Sequence, residues 1–307
     1  MEPLVSFVVT YYDEPETYLR ACLESIIALP LQKGEAEILV VDDGSERPFQ
    51  SLLEEGIVSE SATEATFATV RQPHYGIAVT RNTGLDHARG RYIQFVDADD
   101  CLIPSAYIKV LEQVRKETED VVVFNMTRKA WEQRRLRETD FSCREIRRTQ
   151  YSGQSFLQSR NLRSAVWGFA FKRHLMDGLR FSPGILHEDE EFTPQLFLRA
   201  DTMLELKLKA YYYRQHEGSI THTFTPEQTY KRLNDIHFVL KELHALRNPV
   251  LQRRISQLTV DYLQNVLMLT ASPGEFLGRA SELRQEGLLP LPVRCYSPRY
   301  LLFSLVM

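Results

Sequence analysis

At 307 residues, with 43% hydrophobic and 25% charged side chains, the chain has the make-up of one large globular domain or roughly two ordinary ones with a sizeable core. Its net charge of -4 gives no overall attraction to nucleic acid or to an anionic membrane, which excludes nucleic acid as a partner and leaves any anionic surface to a local patch. Cys22, Cys101, Cys143 and Cys295 form no CxxC pair and read as reduced thiols of a cytosolic protein; the first residues do not read as a signal peptide, and no apolar run reaches the ~20 residues of a membrane span.

In chain order, "LVSFVVTYY" (4–12) is a near-continuous apolar, β-branched run that predicts a strand covered on both faces, and "ETYLRACLESIIAL" predicts an amphipathic helix with Leu19, Leu23, Ile26 and Ile27 on one side. "AEILVVDDGS" and "TFATVRQ" predict the second and third strands. "GIAVTRNTGLDHARG" predicts a helix closed by Gly90, and "RYIQFVDADD" a fourth strand followed by a helix that Pro104 opens. "DVVVFNM" is a fifth strand. The stretch 127–150 carries eight basic and four acidic residues up to Arg148, shows no clear periodicity, and is read as an inserted hairpin or flap. "AVWGFAFKRHLM" predicts strand then helix, "HEDEEFTPQLFLRA" a helix, "LKLKAYYYRQHEGSIT" a strand opening into a loop, and helical patterns fill the chain after 224. Strands alternating with helices predict an α/β fold with a mostly parallel sheet and helices on both faces, plus a helical C-terminal extension.

Two strands end in acid clusters, Asp42-Asp43 and Asp97-Ala98-Asp99-Asp100. Ligands of open α/β sheets bind outside the carboxyl ends of the strands, and residues two apart in an extended segment face the same side. Asp97 and Asp99 therefore face one ligand together. Hard carboxylate oxygens beside a phosphate suit Mg²⁺ or Mn²⁺, whereas isolated Asp residues at such positions commonly cap turns and helices.

The set "VSFVVTYYDEPETYLRACLESI", "ILVVDDGS", "GIAVTRNTGLDHARGRYIQFVDADD", "HEDEEF" and "YYYRQHEGSIT" resembles family 2 glycosyltransferases of the GT-A fold, in order and spacing, from residue 4 to about 221. The resemblance implies a GT-A catalytic domain over 1–224, with a nucleotide-binding half over about 1–100, an acceptor-side half over about 101–224 and the basic insert 127–150, followed by the extension 225–307. It implies inverting transfer from a nucleotide-diphosphate sugar, UDP-linked by preference, to a growing surface polysaccharide or lipid-linked glycan, with Mn²⁺ or Mg²⁺ as cofactor. Carried over, Thr10 and Tyr12 line the base and ribose, Asp43 with Asp42 beside it accepts from the nucleobase, and Arg81 and Asn82 meet the donor's phosphates. An ionised carboxylate only accepts hydrogen bonds, so an imide N–H of uracil, thymine or guanine fits Asp43 and cytosine does not. Asp99 is the metal ligand of the DxD motif, Asp97 lies nearer the ribose, and Asp97 and His216 are further metal candidates. Asp189 is the catalytic base, Glu188 and Trp167 lie on the acceptor side, and Arg214, His216 and Ser219 belong to the loop over the diphosphate.

A sugar nucleotidyltransferase shares the α/β layout but needs a Gly-rich phosphate loop after its first strand, and no glycine precedes Gly34. A non-catalytic nucleotide-sugar-binding module stands as the other alternative. A zinc-protease reading of His187-Glu188 fails because Glu191 stands where the second His belongs. The basic insert reads as a solvated face, with a phosphorylated acceptor or the inner face of the cytoplasmic membrane as its alternative partners. The tail "YSPRYLLFSLVM" is expected to pack rather than to anchor, since it lacks a basic polar face.

Overall fold

The computed structural model describes residues 2–141, 144–216 and 225–306. They fall into two compact units: Met1–Gly153, Ala165–Gly184 and Arg199–His216 form the first, and Gln154–Ser164, Ile185–Leu198 and Glu217–Met307 the second. The expected single cut near 224 is thus joined by two short excursions, because the segments 154–164 and 185–198 group with the helices and not with the sheet.

The first unit is built on β1 (Val5–Tyr11), β2 (Ala36–Asp42), β3 (Thr66–Arg71), β4 (Tyr92–Asp97), β5 (Cys101–Leu102), β6 (Val121–Thr127), β7 (Arg148–Tyr151), β8 (Phe169–Lys172) and β9 (Met203–Tyr212). The sheet order is β3-β2-β1-β4-β8-β6-β9-β5, with β7 also paired to β9. β1 pairs in parallel with β2 on one side and β4 on the other, so the order reverses between β1 and β4. That reversal opens the crevice in which α/β sheets place ligands. Every residue of β1 and β2 is buried, which is why both read as unbroken apolar runs.

Helices α1 (Glu16–Ile27), α2 (Phe49–Glu54), α3 (Ile77–His87) and α4 (Pro104–Val114) connect these strands. Leu19, Cys22, Leu23 and Ile26 form the buried stripe of α1, at the spacing of one helix face. Pro104 opens α4 as expected. The insert differs from the expected hairpin. It forms α5 (Ala130–Glu138), which has no fully buried residue, before β7 joins the sheet. Only Glu132, Gln133 and Leu136 of α5 are half-buried, and Leu136 is the one apolar side chain among them that packs on the core, so a run dominated by charge did not read as a helix.

Gly90 also differs from expectation. α3 stops at His87 and Ala88 is already extended, so Gly90 is not the helix cap. Its role is close approach: a Cβ there would lie 2.4 Å from the Ser6 backbone N. Around it, buried Glu37 accepts from Ser6 Oγ at 2.5 Å, Arg89 N at 2.6 Å and Arg89 Nε at 2.9 Å, while Gly90 N donates to Ser6 Oγ at 2.7 Å. This network fixes where the chain enters β4.

The second unit comprises α6 (Gly153–Ser159), α7 (Glu188–Leu198), α8 (Pro226–Ala245), α9 (Gln252–Thr270), α10 (Pro273–Gln285) and α11 (Pro298–Val306). α8 starts with a capping box between Thr225 and Gln228. Leu233, Leu240 and Leu243 of α8 and Leu263 and Val266 of α9 are buried core residues. α11 is held by buried Tyr300, whose hydroxyl donates to the Pro292 carbonyl at 2.8 Å, and by an Arg299–Asp261 ion pair. Leu302 and Leu305 on the same helix are exposed, so the tail packs by one face only. Among the described residues, no helix is long and apolar enough to cross a membrane.

Gly90→Ala places a methyl group against the backbone of β1, which cannot retreat without breaking the sheet. It should cost about 1–3 kcal/mol, the usual range for overpacking, read as a lower urea midpoint with unchanged slope.

Candidate active site

Parallel register aligns the site. Thr10 stands beside Asp97 of β4, and Tyr11 beside Asp42 of β2. Thr10 Oγ1 donates to Asp97 Oδ1 at 3.3 Å, and Arg81 from α3 donates to the same oxygen at 3.1 Å. Arg81 is buried, and its charge is directed at Asp97.

Asp42 and Asp43 diverge although they are neighbours. Asp42 is fully buried and accepts from Ser45 N at 2.9 Å and Phe49 N at 3.0 Å. It folds the turn and satisfies the first turn of α2, where amide groups lack helical partners. The expectation that it flanks the nucleotide with its carboxylate is not met in this ligand-free chain, because both oxygens face the turn. Asp43 accepts three hydrogen bonds, from Gln72 Nε2 at 2.6 Å, Tyr75 N at 3.0 Å and Gly76 N at 2.9 Å, and His74 Nδ1 lies 2.8 Å from its Oδ2. The loop 72–76 is therefore built around Asp43.

The second cluster is less satisfied. Asp99 Oδ2 lies 2.9 Å from His216 Nε2, which joins two motifs 117 residues apart. Burial and then Asp97 push the Asp99 carboxyl above its ordinary range, and His216 pulls it back. Asp100 is fully buried and raised well above that range by burial, then by Asp99 and Asp97; its Oδ1 accepts from Arg214 N at 2.7 Å. Arg214 Nε donates to the Asp99 carbonyl at 2.7 Å, and its guanidinium lies 4.2 Å from the centre of the Tyr18 ring. The carboxylate oxygens of Asp99 and of Asp97, two residues away, are ligands that suit Mn²⁺ or Mg²⁺. Among the described residues, no three His, Cys, Asp or Glu side chains close a metal cage by themselves.

Two expected contacts lie elsewhere. Asn82 Nδ2 donates to the Phe181 carbonyl at 2.9 Å and Asn82 Oδ1 accepts from Phe181 N at 2.9 Å, so its amide braces a neighbouring segment. Trp167 is buried and stacked on Tyr211 at 4.5 Å and 8°, making it a core pillar. Ser219 lies outside the described residues.

Glu14, His74 and Gln72 were not singled out from the sequence. Glu14 Oε2 accepts from Tyr12 N at 2.7 Å. Its carboxyl is pushed up to about 7 by burial, with Asp99 and Asp97 adding repulsion. The available signal was its position three residues past the end of β1, on the edge that the DxD motif shares.

In the second unit, His187 has φ 65 and precedes α7. Glu190 accepts from Ser164 Oγ at 2.5 Å and pairs with buried Arg254. Burial pulls the Arg254 guanidinium down to about 10, opposed by Asp189. Burial likewise lowers His187, again opposed by Asp189. Glu188 is buried and Asp189 half-buried.

Comparison with known proteins agrees with this architecture. The profile of Glycosyl transferase family 2 matches residues 6–178. EpsH of Bacillus subtilis is 27% identical over 248 residues, covering 79% of this chain and 68% of its own. In fold, the chain is similar to S. aureus TarS 1-349 in complex with UDP-GlcNAc, with a TM-score of 0.64, 18% identity, and 92% of this chain and 78% of the other covered. It is also similar to the mannosyltransferase PcManGT of Pyrobaculum calidifontis in complex with GDP-Man and Mn²⁺, with a TM-score of 0.52, 14% identity, and coverage of 100% and 87%.

A carboxyl raised in the folded state binds protons that the unfolded chain does not. Glu14 therefore weakens the fold above about pH 7, and that penalty fades as pH falls toward its unfolded value. Glu14→Gln should raise the melting temperature at pH 8 in EDTA, with the gain shrinking at pH 5.5. Equal gains at both pH values would show that Glu14 is not the titrating group.

Proposed function

The chain belongs to glycosyl transferase family 2, and from that premise we propose that it transfers a sugar from a nucleotide-diphosphate donor, UDP-linked by preference, with inversion, to a hydroxyl of a growing polysaccharide or lipid-linked glycan. The observation that carries this reading is the 2.9 Å contact between Asp99 and His216, which gathers carboxylate and imidazole at the carboxyl end of the sheet.

On this reading the base lies on Tyr12 and its imide N–H reaches Asp43. The TarS complex with UDP-GlcNAc and the PcManGT complex with GDP-Man and Mn²⁺ carry bases that both have such a proton. A Mn²⁺ or Mg²⁺ held by Asp99, with Asp97 and His216 as further ligands, would offset the charge developing on the departing diphosphate. Arg214 is the cation of the chain suited to the diphosphate oxygens, since a guanidinium fork matches them. Arg81 pairs with Asp97 and orients it. The basic side of α5, with Lys129 and Arg135 against exposed Trp131, favours an anionic acceptor.

Transfer forms a bond from the acceptor oxygen to the anomeric carbon while the bond to the diphosphate breaks and its electron pair leaves with phosphate. The hydroxyl proton needs a base, and Asp189 takes that role by the position of its motif. Burial of Glu188 and the commitment of Glu190 to Arg254 favour Asp189 among the neighbouring acids.

Two measurements test the proposal. Calorimetric titration of UDP should require Mn²⁺ or Mg²⁺, and Asp99→Ala should abolish the metal's benefit while leaving the melting temperature near that of the parent. Identical titrations with and without EDTA would remove the metal from the reading. Asp189→Asn should bind donor nearly normally but lose about 10²–10⁴-fold in turnover; equal losses in binding and turnover would make it a donor-binding residue.

A further inference from the structure

Asp43 is met by three hydrogen-bond donors and by the His74 ring. The amides of Tyr75 and Gly76 belong to the backbone of the loop, and the Gln72 side chain is fixed in turn by Thr83 Oγ1 at 2.5 Å. The loop itself cannot slide: Gln72 N donates to the Asp42 carbonyl at 3.0 Å, and even a Cβ on Gly44 would meet His74 N at 2.7 Å. His74 is the exception. Its side chain is 52% exposed, against 4% for the Asp43 carboxylate it touches.

The His74 ring makes two contacts at once. It lies flat on Tyr12, with ring centres 3.8 Å apart and planes 18° from parallel, and its Nδ1 is 2.8 Å from Asp43 Oδ2. A planar heterocycle stacked on Tyr12 with a ring nitrogen beside Asp43 is also what the reading above requires of the nucleobase. The two cannot share the place, because one face of Tyr12 and one lone pair of Asp43 serve both.

We propose that His74 is an internal stand-in for the nucleobase, occupying the base subsite of the ligand-free chain and turning out into solvent when the donor binds. This rests on the assignment of the base to Tyr12 and Asp43. The exchange replaces one ring against Tyr12 and Asp43 by another, while the hydrogen bonds from Gln72, Tyr75 and Gly76 to Asp43 stay in place and the loop keeps its backbone. The affinity for the donor is then lowered by the fraction of molecules in which His74 has already turned away.

His74→Ala removes the stand-in but none of the backbone bonds that shape the loop. With Mn²⁺ present, it should bind UDP roughly threefold to tenfold more tightly, with inorganic pyrophosphate, which has no base, binding as before. Unchanged or weaker UDP binding would overturn the proposal and make His74 a wall of the subsite. Equal tightening of UDP and pyrophosphate would overturn it too, since the gain would then come from charge or loop mobility. A second substitution separates the proposal from the reading beneath it. Added to His74→Ala, Tyr12→Ala should weaken UDP binding; if it does not, the base lies elsewhere and both fall. If Tyr12→Ala weakens binding but His74→Ala alone does not tighten it, only the stand-in falls.

Discussion

Repulsion among carboxylates along one edge of the sheet is the constraint around which the first unit is arranged. Asp42, Asp43, Asp97, Asp99, Asp100 and Glu14 all lie at or just past the carboxyl ends of β1, β2 and β4. Unit charges about 4 Å apart repel by about 4 kcal/mol at an effective dielectric of 20, so each must be answered locally. Asp42 and Asp43 are answered by amide and side-chain N–H groups, and Asp97 by Arg81 and Thr10. Asp99 and Glu14 are left with raised carboxyl groups and only partial compensation. Asp100 is raised further still, so the raised carboxyl groups are gathered at the end of β4 and the loop after β1.

The register of the sheet decides which residues meet at that edge. Because β1 pairs with β2 and β4 in parallel, Thr10, Asp42 and Asp97 are brought level without any loop having to position them. β9 returns alongside β5, so the chain after Tyr212 emerges at the same edge and delivers Arg214 and His216 to Asp99 and Asp100. Trp167 and Tyr211 form a stacked pillar behind this edge, and the Tyr211 hydroxyl accepts from Asp97 N at 3.2 Å. Rigid strands therefore carry the acids, and the loop that follows β9 carries the groups that answer them.

The strands and the acid clusters were legible in the sequence because burial on both faces leaves an unbroken apolar run and because charge is conspicuous at its end. The positions of Asp97, Asp99 and His216 followed from motif order, and the structure gathers them. The direction of a side chain was not legible. Asp42, Asn82 and Trp167 stand at motif positions, yet Asp42 folds its own turn, Asn82 braces Phe181 and Trp167 fills the core. A motif gives the place of a residue along the chain, whereas its partners depend on which orphaned donors or acceptors the fold leaves nearby. Helix α5 was missed because its half-buried face is made of Glu132, Gln133 and Leu136, of which only Leu136 is apolar. Glu14 was missed because an acid after a strand is ordinary until two further carboxylates are placed beside it.

The same reasoning orders the acids at the start of α7. Four consecutive carboxylates, Glu188 to Glu191, occupy a helix N-terminus whose dipole favours negative charge. That favour does not distinguish them, but burial does. Glu190 is held by Ser164 and by Arg254, a cation that burial has already made reluctant to be charged and that therefore needs a close anion. Glu188 and Glu191 are buried. Asp189 remains half-buried, within electrostatic reach of both His187 and Arg254. Burial therefore separates Glu188 and Glu191 from Asp189 and Glu190, and the Arg254 pair marks Glu190 as part of the unit's own packing.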